Sequence, residues 1–119
     1  MLTLEEIALV ALGFPDVVEV ERRGNRAWNL GDKCFAWERP FTKADLKRFG
    51  TAPVPDGEIL GVRVADLHEK EALLAAAPKG FFTIPHFDGW PAVLIQLRVA
   101  GKKPVREALL DGYRWAEGH

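Results

Sequence analysis

The residues best suited to acid–base, metal or nucleophilic chemistry are few and scattered along this sequence. The three histidines, His68, His86 and His119, have no second histidine or cysteine at the spacing of a metal-binding motif. The sequence contains no serine, and its single cysteine, Cys34, has no identifiable base to activate it. We therefore predict no catalytic residue, no metal and no cofactor, and we expect a protein that is not an enzyme.

The densest group of cationic residues surrounds a turn in the N-terminal third of the chain. Gly24 and Asn25 both tolerate the positive φ that a two-residue hairpin turn needs. Three arginines flank this turn: Arg22, Arg23 and Arg26. A basic hairpin tip can enter a DNA groove or straddle the DNA backbone, so these arginines are candidates for nucleic-acid binding. The other interpretation is that they lie in solvent, paired with Glu19 and Glu21.

A second basic group falls on a predicted short helix. Lys43 and Lys47 are one helical turn apart and share a face, and Arg48 follows them. These three residues complete the predicted nucleic-acid-binding set. The alternative is a helix face that is simply exposed to solvent.

Residues 81–91 form the most unusual stretch, with four large aromatic residues, a histidine and a carboxylate around two prolines. One interpretation is a recognition surface in which His86, Asp88 and Trp90 supply polar and stacking contacts. The other is a structural turn at Asp88-Gly89 in which His86 bonds to the backbone and the aromatic rings fill the core. The full set of candidate ligand-binding residues is Trp28, Trp37, Arg39, His86, Asp88 and Trp90.

The hydrophobic pattern defines the elements that must position these residues. Thr3 with Glu6 predicts a capped N-terminal helix, whose apolar stripe includes Ile7 and Ala11. Further helices are predicted over residues 43–49, 67–77 and from Pro104 onward. Strands are predicted over residues 17–21, 26–30, 33–38, 59–64, 81–83 and 92–99.

The pattern also predicts which side chains face the core. In the first strand, Val18 and Val20 alternate with two glutamates and should point inward. In the second helix, Leu46 and Phe49 should point inward, and Cys34 is interpreted as a small buried hydrophobic residue. The order of elements predicts a single α+β domain over residues 1–119. Its architecture is a two-layer sandwich with both terminal helices on one face of a mainly antiparallel sheet.

Charge and hydropathy narrow the choice of partners. Sixteen basic and 17 acidic residues give a formal net charge of -1, whereas a dedicated non-specific DNA-binding protein is usually strongly basic. Any contact with DNA must therefore come from a local patch and should be weak. The N-terminus lacks the features of a secretion signal, and no apolar run approaches the roughly 20 residues of a membrane span. We expect a cytoplasmic protein with no membrane partner.

Two stretches of the sequence are similar to one known family. Residues 24–40 contain Gly-Asn-Arg-Ala-Trp followed by Gly-Asp-Lys-Cys-Phe-Ala, which resembles the hairpin region of the MmcQ/YjbR-like family. Residues 81–94 read Phe-Phe-Thr-Ile-Pro-His-Phe-Asp-Gly-Trp-Pro-Ala-Val-Leu and resemble that family's signature. The sequence departs from the pattern where Asp32 precedes Lys33, because the family usually has Gly-Lys there.

This resemblance implies a frataxin-like (CyaY-like) sandwich and a DNA-binding role through a double wing of β-hairpins. The tip at residues 22–26 corresponds best to a wing, whereas His86, Asp88 and Trp90 match the signature without an assigned role. Frataxins handle iron through an acidic ridge. The first helix here offers only the adjacent Glu5 and Glu6, so iron binding is not expected.

The sequence as a whole therefore predicts a non-enzymatic binding module whose leading partner is DNA, bound weakly through the basic hairpin. The alternative is a domain that binds a protein or a small ligand through the aromatic cluster around His86 and never contacts nucleic acid.

Overall fold

The structure, a computed structural model, describes residues 1–118, and these form four α-helices, six β-strands and one 3-10 turn. The helices are α1 (Leu4–Leu12), α2 (Lys43–Phe49), α3 (Leu67–Ala76) and α4 (Lys102–Glu117). The strands are β1 (Val17–Arg22), β2 (Asn25–Leu30), β3 (Lys33–Glu38), β4 (Ile59–Arg63), β5 (Phe81–Phe82) and β6 (Ala92–Gln96). The 3-10 turn spans Pro85–Phe87. His119 lies outside the described residues.

All six strands form one sheet in the order β1-β2-β3-β4-β6-β5, and every pair of neighbours is antiparallel. The predicted hairpin between β1 and β2 turns at Arg23 and Gly24, which have φ values of 52° and 82°. Glycine suits the second of these positions because it has no Cβ to oppose a positive φ. The turn lies one residue earlier than the predicted Gly24-Asn25, because Asn25 is already the first residue of β2 and pairs with Arg22. The hairpin itself is present, and Arg22, Arg23 and Arg26 lie at its tip.

The terminal helices α1 and α4 pack on the same face of this sheet. Ile7 of α1 and Leu109 of α4 are buried against Trp28, Phe35 and Val93 of the strands. The α+β class and the two-layer architecture with both terminal helices on one face are thus confirmed. We call the cluster of buried residues between these two helices and the sheet the main core.

The opposite face of the sheet carries a second, smaller cluster. Leu94 belongs to it, while the neighbouring Val93 and Ile95 belong to the main core, so β6 is buried on both faces. Its members are Ile59, Ile84, Phe87, Ala92 and Leu94, with Trp37, Phe41, Phe49 and Phe82 packed against them. Because Phe49 comes from α2, this short helix packs on the second face.

Two predicted orientations are wrong. Leu46 is 46% exposed, and Asp45 takes the buried position in α2 because its carboxylate accepts hydrogen bonds from Thr42 and Arg39. In β1 it is Glu19, and not Val18 or Val20, that shares a face with the core residue Trp28. Glu19 can occupy that position because its carboxylate accepts a hydrogen bond from the indole Nε1 of Trp28 at 3.0 Å.

No helix among residues 1–118 is both long enough and apolar enough to cross a membrane.

Candidate functional site

A cleft of about 510 Å³ opens beside the sheet face that carries the second cluster. Five parts of the chain line it: the β1–β2 hairpin, β3, the end of β4, the loop around the 3-10 turn and the last turns of α4. The pairing of β3 with β4 covers only Ala36 to Glu38 against Leu60 to Val62. Gly112 of α4 packs against the carbonyls of Phe35 and Arg63 just beyond this paired stretch, and Trp115 on the next turn lines the cleft.

Cationic side chains dominate the polar lining of the cleft within residues 1–118. Six arginines and lysines line it, against the two carboxylates of Asp32 and Glu38. The six cations are Arg22, Arg23, Arg26, Lys33, Arg39 and Arg63. The local charge is therefore positive although the whole chain carries a formal charge of -1.

Two of these cations are already neutralised by carboxylates. Arg26 bonds through Nε to Glu19 at 2.9 Å and through Nη1 to Glu5 of α1 at 2.5 Å. The hydrogen bonds that the Arg26 guanidinium donates to Glu19 raise the pKa of Arg26, and Arg26 in turn lowers the pKa of Glu19. Arg39 bonds to the buried Asp45 at 2.9 Å. Both arginines thus serve mainly to hold structure.

The other four cations of the cleft form no ion pair with any residue among 1–118. These are Arg22, Arg23, Lys33 and Arg63, and the first two are exposed at the hairpin tip. Arg22 lies near Cys34, where its positive charge favours the thiolate and lowers the pKa of the thiol. The unpaired positive charge of the cleft therefore comes from these four groups.

Cys34 lines the cleft and is half-buried, so its interpretation as a core residue is wrong. Cys34 pairs with Asn29 of β2, and both side chains lie on the sheet face away from the main core. The register of β2 and β3 shifts between Trp28 and Asn29, and this bulge lets Phe35 and Ala36 both pack into the main core. Burial raises the pKa of the Cys34 thiol, against the opposing effect of the Arg22 guanidinium.

Aromatic rings form the remaining surface of the cleft. Trp37 packs against Phe87, with ring centroids 6.3 Å apart, and the Arg39 guanidinium lies over the Phe87 ring. The Arg63 guanidinium lies over the ring of Trp115 at 4.1 Å and over that of Trp90 at 5.5 Å. Trp90 is 53% exposed, which leaves much of its indole open to a stacking partner.

A buried lysine fixes the loop that carries these rings. Lys70 of α3 is only 7% exposed, and its Nζ donates hydrogen bonds to the carbonyls of Phe87 at 2.6 Å and Trp90 at 2.8 Å. Burial lowers the pKa of Lys70, and the nearby carboxylate of Asp88 opposes that effect. Lys70 therefore holds both ends of the turn from which Phe87 and Trp90 project.

The structure brings together most of the residues predicted for two separate sites. The nucleic-acid candidates Arg22, Arg23 and Arg26 line the same cleft as the ligand candidates Trp37, Arg39, His86 and Trp90. Three candidates on α2 are exposed but do not line the cleft: Lys43, Lys47 and Arg48. Asp88 is exposed outside it, and Trp28 is 0% exposed in the main core, where a ligand cannot reach it.

Sequence reasoning missed three residues of the site: Arg63, Lys70 and Trp115. Arg63 ends a strand and Lys70 lies in a polar helix, and both positions are ordinary for exposed charges. Trp115 lies in the predicted C-terminal helix, but no local pattern indicates that it meets Arg63 beside Trp90. Among residues 1–118 no three histidine, cysteine, aspartate or glutamate side chains cluster as metal ligands would.

The fold and the cleft define a small α+β protein with a basic, tryptophan-lined cleft. Three curated mycobacterial proteins are similar to it: the uncharacterized proteins Rv2570 and MT2646 of Mycobacterium tuberculosis and Mb2600 of Mycobacterium bovis. Each is 40% identical over 116 residues, which cover 95% of this chain and 87% of the relative. The chain belongs to the family of these mycobacterial proteins. No family model matches the sequence, and no solved structure matches it.

Proposed function

We propose that this protein is a non-enzymatic module that binds single-stranded nucleic acid in the cleft. The proposal is supported mainly by one observation: unpaired cations and the exposed indole of Trp90 line the same cleft. Proteins that bind single strands without strong sequence preference combine a positively charged groove with aromatic side chains on which bases stack. The likeness to the MmcQ/YjbR-like family stays a prediction that points in the same direction.

The chemistry of the cleft suits a single strand better than a duplex. The bases of a duplex are stacked on one another, so their faces are closed to a protein indole, whereas an unpaired base can stack on Trp90. Arg22 and Arg23 then meet the phosphates at the rim, where ion pairs are weak and depend on salt. Arg26 contributes less than the sequence predicts, because Glu19 and Glu5 already neutralise it.

A small anionic ligand with an aromatic ring is the second candidate. The cleft volume of about 510 Å³ lies within the range of about 300–1,000 Å³ that is common for small-molecule sites. Such a ligand would use the same indoles and the same cations. Competition between a mononucleotide and a longer strand separates the two candidates, because a true single-strand site gains affinity with each added nucleotide that makes contact.

The test is a fluorescence anisotropy titration with one labelled oligonucleotide, used as a single strand and as a duplex, at about 50 mM and about 200 mM salt. We expect weak binding of the single strand, weaker binding of the duplex, and a salt slope of about -2 to -3, which corresponds to three or four phosphate contacts. Replacing Arg22 and Arg23 by alanine should reduce the affinity and flatten this slope.

A matched control removes two positive charges elsewhere. Lys103 and Arg106 are exposed on α4 and do not line the cleft, so their replacement by alanine should leave binding unchanged. The proposal fails if the wild-type protein does not bind the single strand even at low salt. It also fails if both double variants weaken binding equally, because the effect would then reflect overall charge.

A further inference from the structure

Three arginines among residues 1–118 have half-buried side chains, and one of them has no counter-charge. Arg26 is paired with Glu19 and Glu5, and Arg39 is paired with Asp45. Arg63 has no carboxylate partner within the described chain. Charges taken partly out of water are usually paired, so Arg63 differs from the other two half-buried arginines.

The immediate surroundings of Arg63 are aromatic and backbone groups. Its guanidinium lies over the rings of Trp115 and Trp90, and its Nε donates a hydrogen bond to the carbonyl of Val64 at 3.0 Å. The two terminal nitrogens have no acceptor among residues 1–118. Burial lowers the pKa of Arg63, whereas its carboxylate partners raise the pKa of Arg26. The protein thus holds a half-buried cation whose terminal N–H groups stay accessible to a ligand.

The shape of a guanidinium decides which ligand group these N–H groups fit. The indole rings cover part of its π surface, and the Nε contact orients the group. What remains is a planar pair of N–H donors, which matches the oxygens of a phosphate with two parallel hydrogen bonds. The hairpin arginines Arg22 and Arg23 are exposed, so their attraction for a phosphate is screened by water and salt much more strongly.

We propose that Arg63 anchors a phosphate group of the ligand inside the cleft, as the counter-charge that the protein itself does not supply. This inference rests on the proposed function, which supplies a nucleic acid as the ligand. A phosphate site at Arg63 can also be tested with a phosphate compound that is not a nucleic acid. Trp90 and Trp115 then act as supports that hold the guanidinium in place, and the phosphate bound there fixes the position of the strand relative to Trp90.

The test pairs a change in the protein with a change in the ligand. Arg63→Met removes the charge and keeps an unbranched apolar side chain, and Arg63→Lys keeps the charge but removes the two-pronged donor edge. The ligands are a short oligothymidylate and its methylphosphonate analogue, which has the same bases and a neutral backbone. Arg106→Met is the control, because Arg106 is exposed and lies outside the cleft.

We expect Arg63→Met to weaken binding of the phosphodiester strand by about tenfold or more, the usual effect of losing a charge-assisted hydrogen-bonded pair. Its affinity for the methylphosphonate strand should not change, and Arg63→Lys should lie between Arg63→Met and the wild type. The inference is overturned if Arg63→Met weakens both ligands equally, since Arg63 would then act only by holding the indoles, or if it weakens neither.

A second measurement keeps the inference testable if the wild-type protein binds no oligonucleotide, in which case the proposed function fails. Inorganic pyrophosphate is titrated while tryptophan fluorescence and the thermal midpoint are recorded. Because Arg63 touches two indoles, we expect the wild type to respond and Arg63→Met not to respond. No response in the wild type, or the same response in both proteins, contradicts a phosphate site at Arg63. Arg63→Met itself should fold as stably as the wild type, because it removes an unpaired half-buried charge.

Discussion

The indole of Trp37 lies directly against Gly61 on the neighbouring strand. A Cβ added at Gly61 would be 2.4 Å from Cε2 of that ring, closer than real Cβ atoms approach other atoms. The two residues are paired between β3 and β4, and Gly61 is buried. Glycine inside a strand usually weakens it, so its presence here reflects the space that Trp37 needs in order to line the cleft.

Gly61→Ala should therefore force the Trp37 ring to move. We expect the free energy of unfolding to fall by about 1–3 kcal/mol, as is usual when atoms are inserted into a packed site. Urea denaturation measures the change. In a Trp37→Ala background the same substitution should cost much less, because the clash is gone, and an equal cost in both backgrounds would show that the ring does not set the requirement.

Lys70→Met should loosen the loop that carries Phe87 and Trp90. Both carbonyls that Lys70 contacts also accept a backbone hydrogen bond, so we expect a modest loss of about 1–2 kcal/mol in stability. Hydrogen exchange should quicken in residues 84–92 and stay unchanged in β1 to β3. Lys79→Met, at an exposed lysine, is the control. Uniform quickening across the sheet would contradict a local role for Lys70.

Asp45→Asn should cost stability in a manner that depends on pH. Burial opposes ionisation of Asp45, but the backbone N–H of Thr42 and the Arg39 guanidinium outweigh it and lower its pKa. A carboxylate with a lowered folded-state pKa contributes stability above its unfolded-state pKa of about 3.9, and this contribution is lost as the pH falls through the folded-state pKa.

At pH 7 we expect Asp45→Asn to lower the free energy of unfolding by about 3 kcal/mol, because it leaves Arg39 without its charge partner. The deficit should shrink as the pH falls below the unfolded-state pKa of about 3.9. Urea denaturation of the wild type and of Asp45→Asn, at pH 7 and again below about pH 3.9, measures the difference in the free energy of unfolding. Asp111→Asn on the exposed side of α4 should have little effect at either pH. If the loss of unfolding free energy in Asp45→Asn did not vary with pH, the negative charge of Asp45 would not be what stabilises the fold.

Cys34 offers a reporter of the cleft because it is the only cysteine in the chain. Since burial raises its pKa and the thiolate is the reactive form, a thiol reagent should modify it more slowly at pH 8 than it modifies a free cysteine. Arg22→Ala should slow the reaction further, because Arg22 lowers that pKa. Wild-type Cys34 reacting as fast as a free thiol would contradict the described burial.

The elements and their order follow from local signals in the sequence. Capping at Thr3 acts between near neighbours, and the structure agrees with it. The hairpin signal at Gly24 also acts locally, although the turn lies at Arg23-Gly24, one residue before the predicted position. The predicted length of β6 was too long, because the strand ends at Gln96 and residues 97–99 form a turn.

The site depends on contacts between distant parts of the chain, which local patterns do not encode. Arg26 and Glu5 are 21 residues apart, and their ion pair removes a cation that the hairpin tip offers in the sequence. Lys70 meets the loop at Trp90 across 20 residues, and Arg63 meets Trp115 only because α4 packs across the sheet. The hairpin and the aromatic segment were each identified from sequence, but not their convergence on one cleft.

The most direct test of the account is whether stacking and charge act together at this cleft. The Trp90→Ala variant is titrated with a labelled single-stranded oligonucleotide. It is compared with Trp90→Phe, which keeps an aromatic ring, and with the control Leu9→Ala, at an exposed apolar position on α1. We predict that Trp90→Ala weakens binding by about tenfold, the usual value of one stacked base, while Trp90→Phe retains most of the affinity. Binding by Trp90→Ala as tight as that of the wild type would contradict the account.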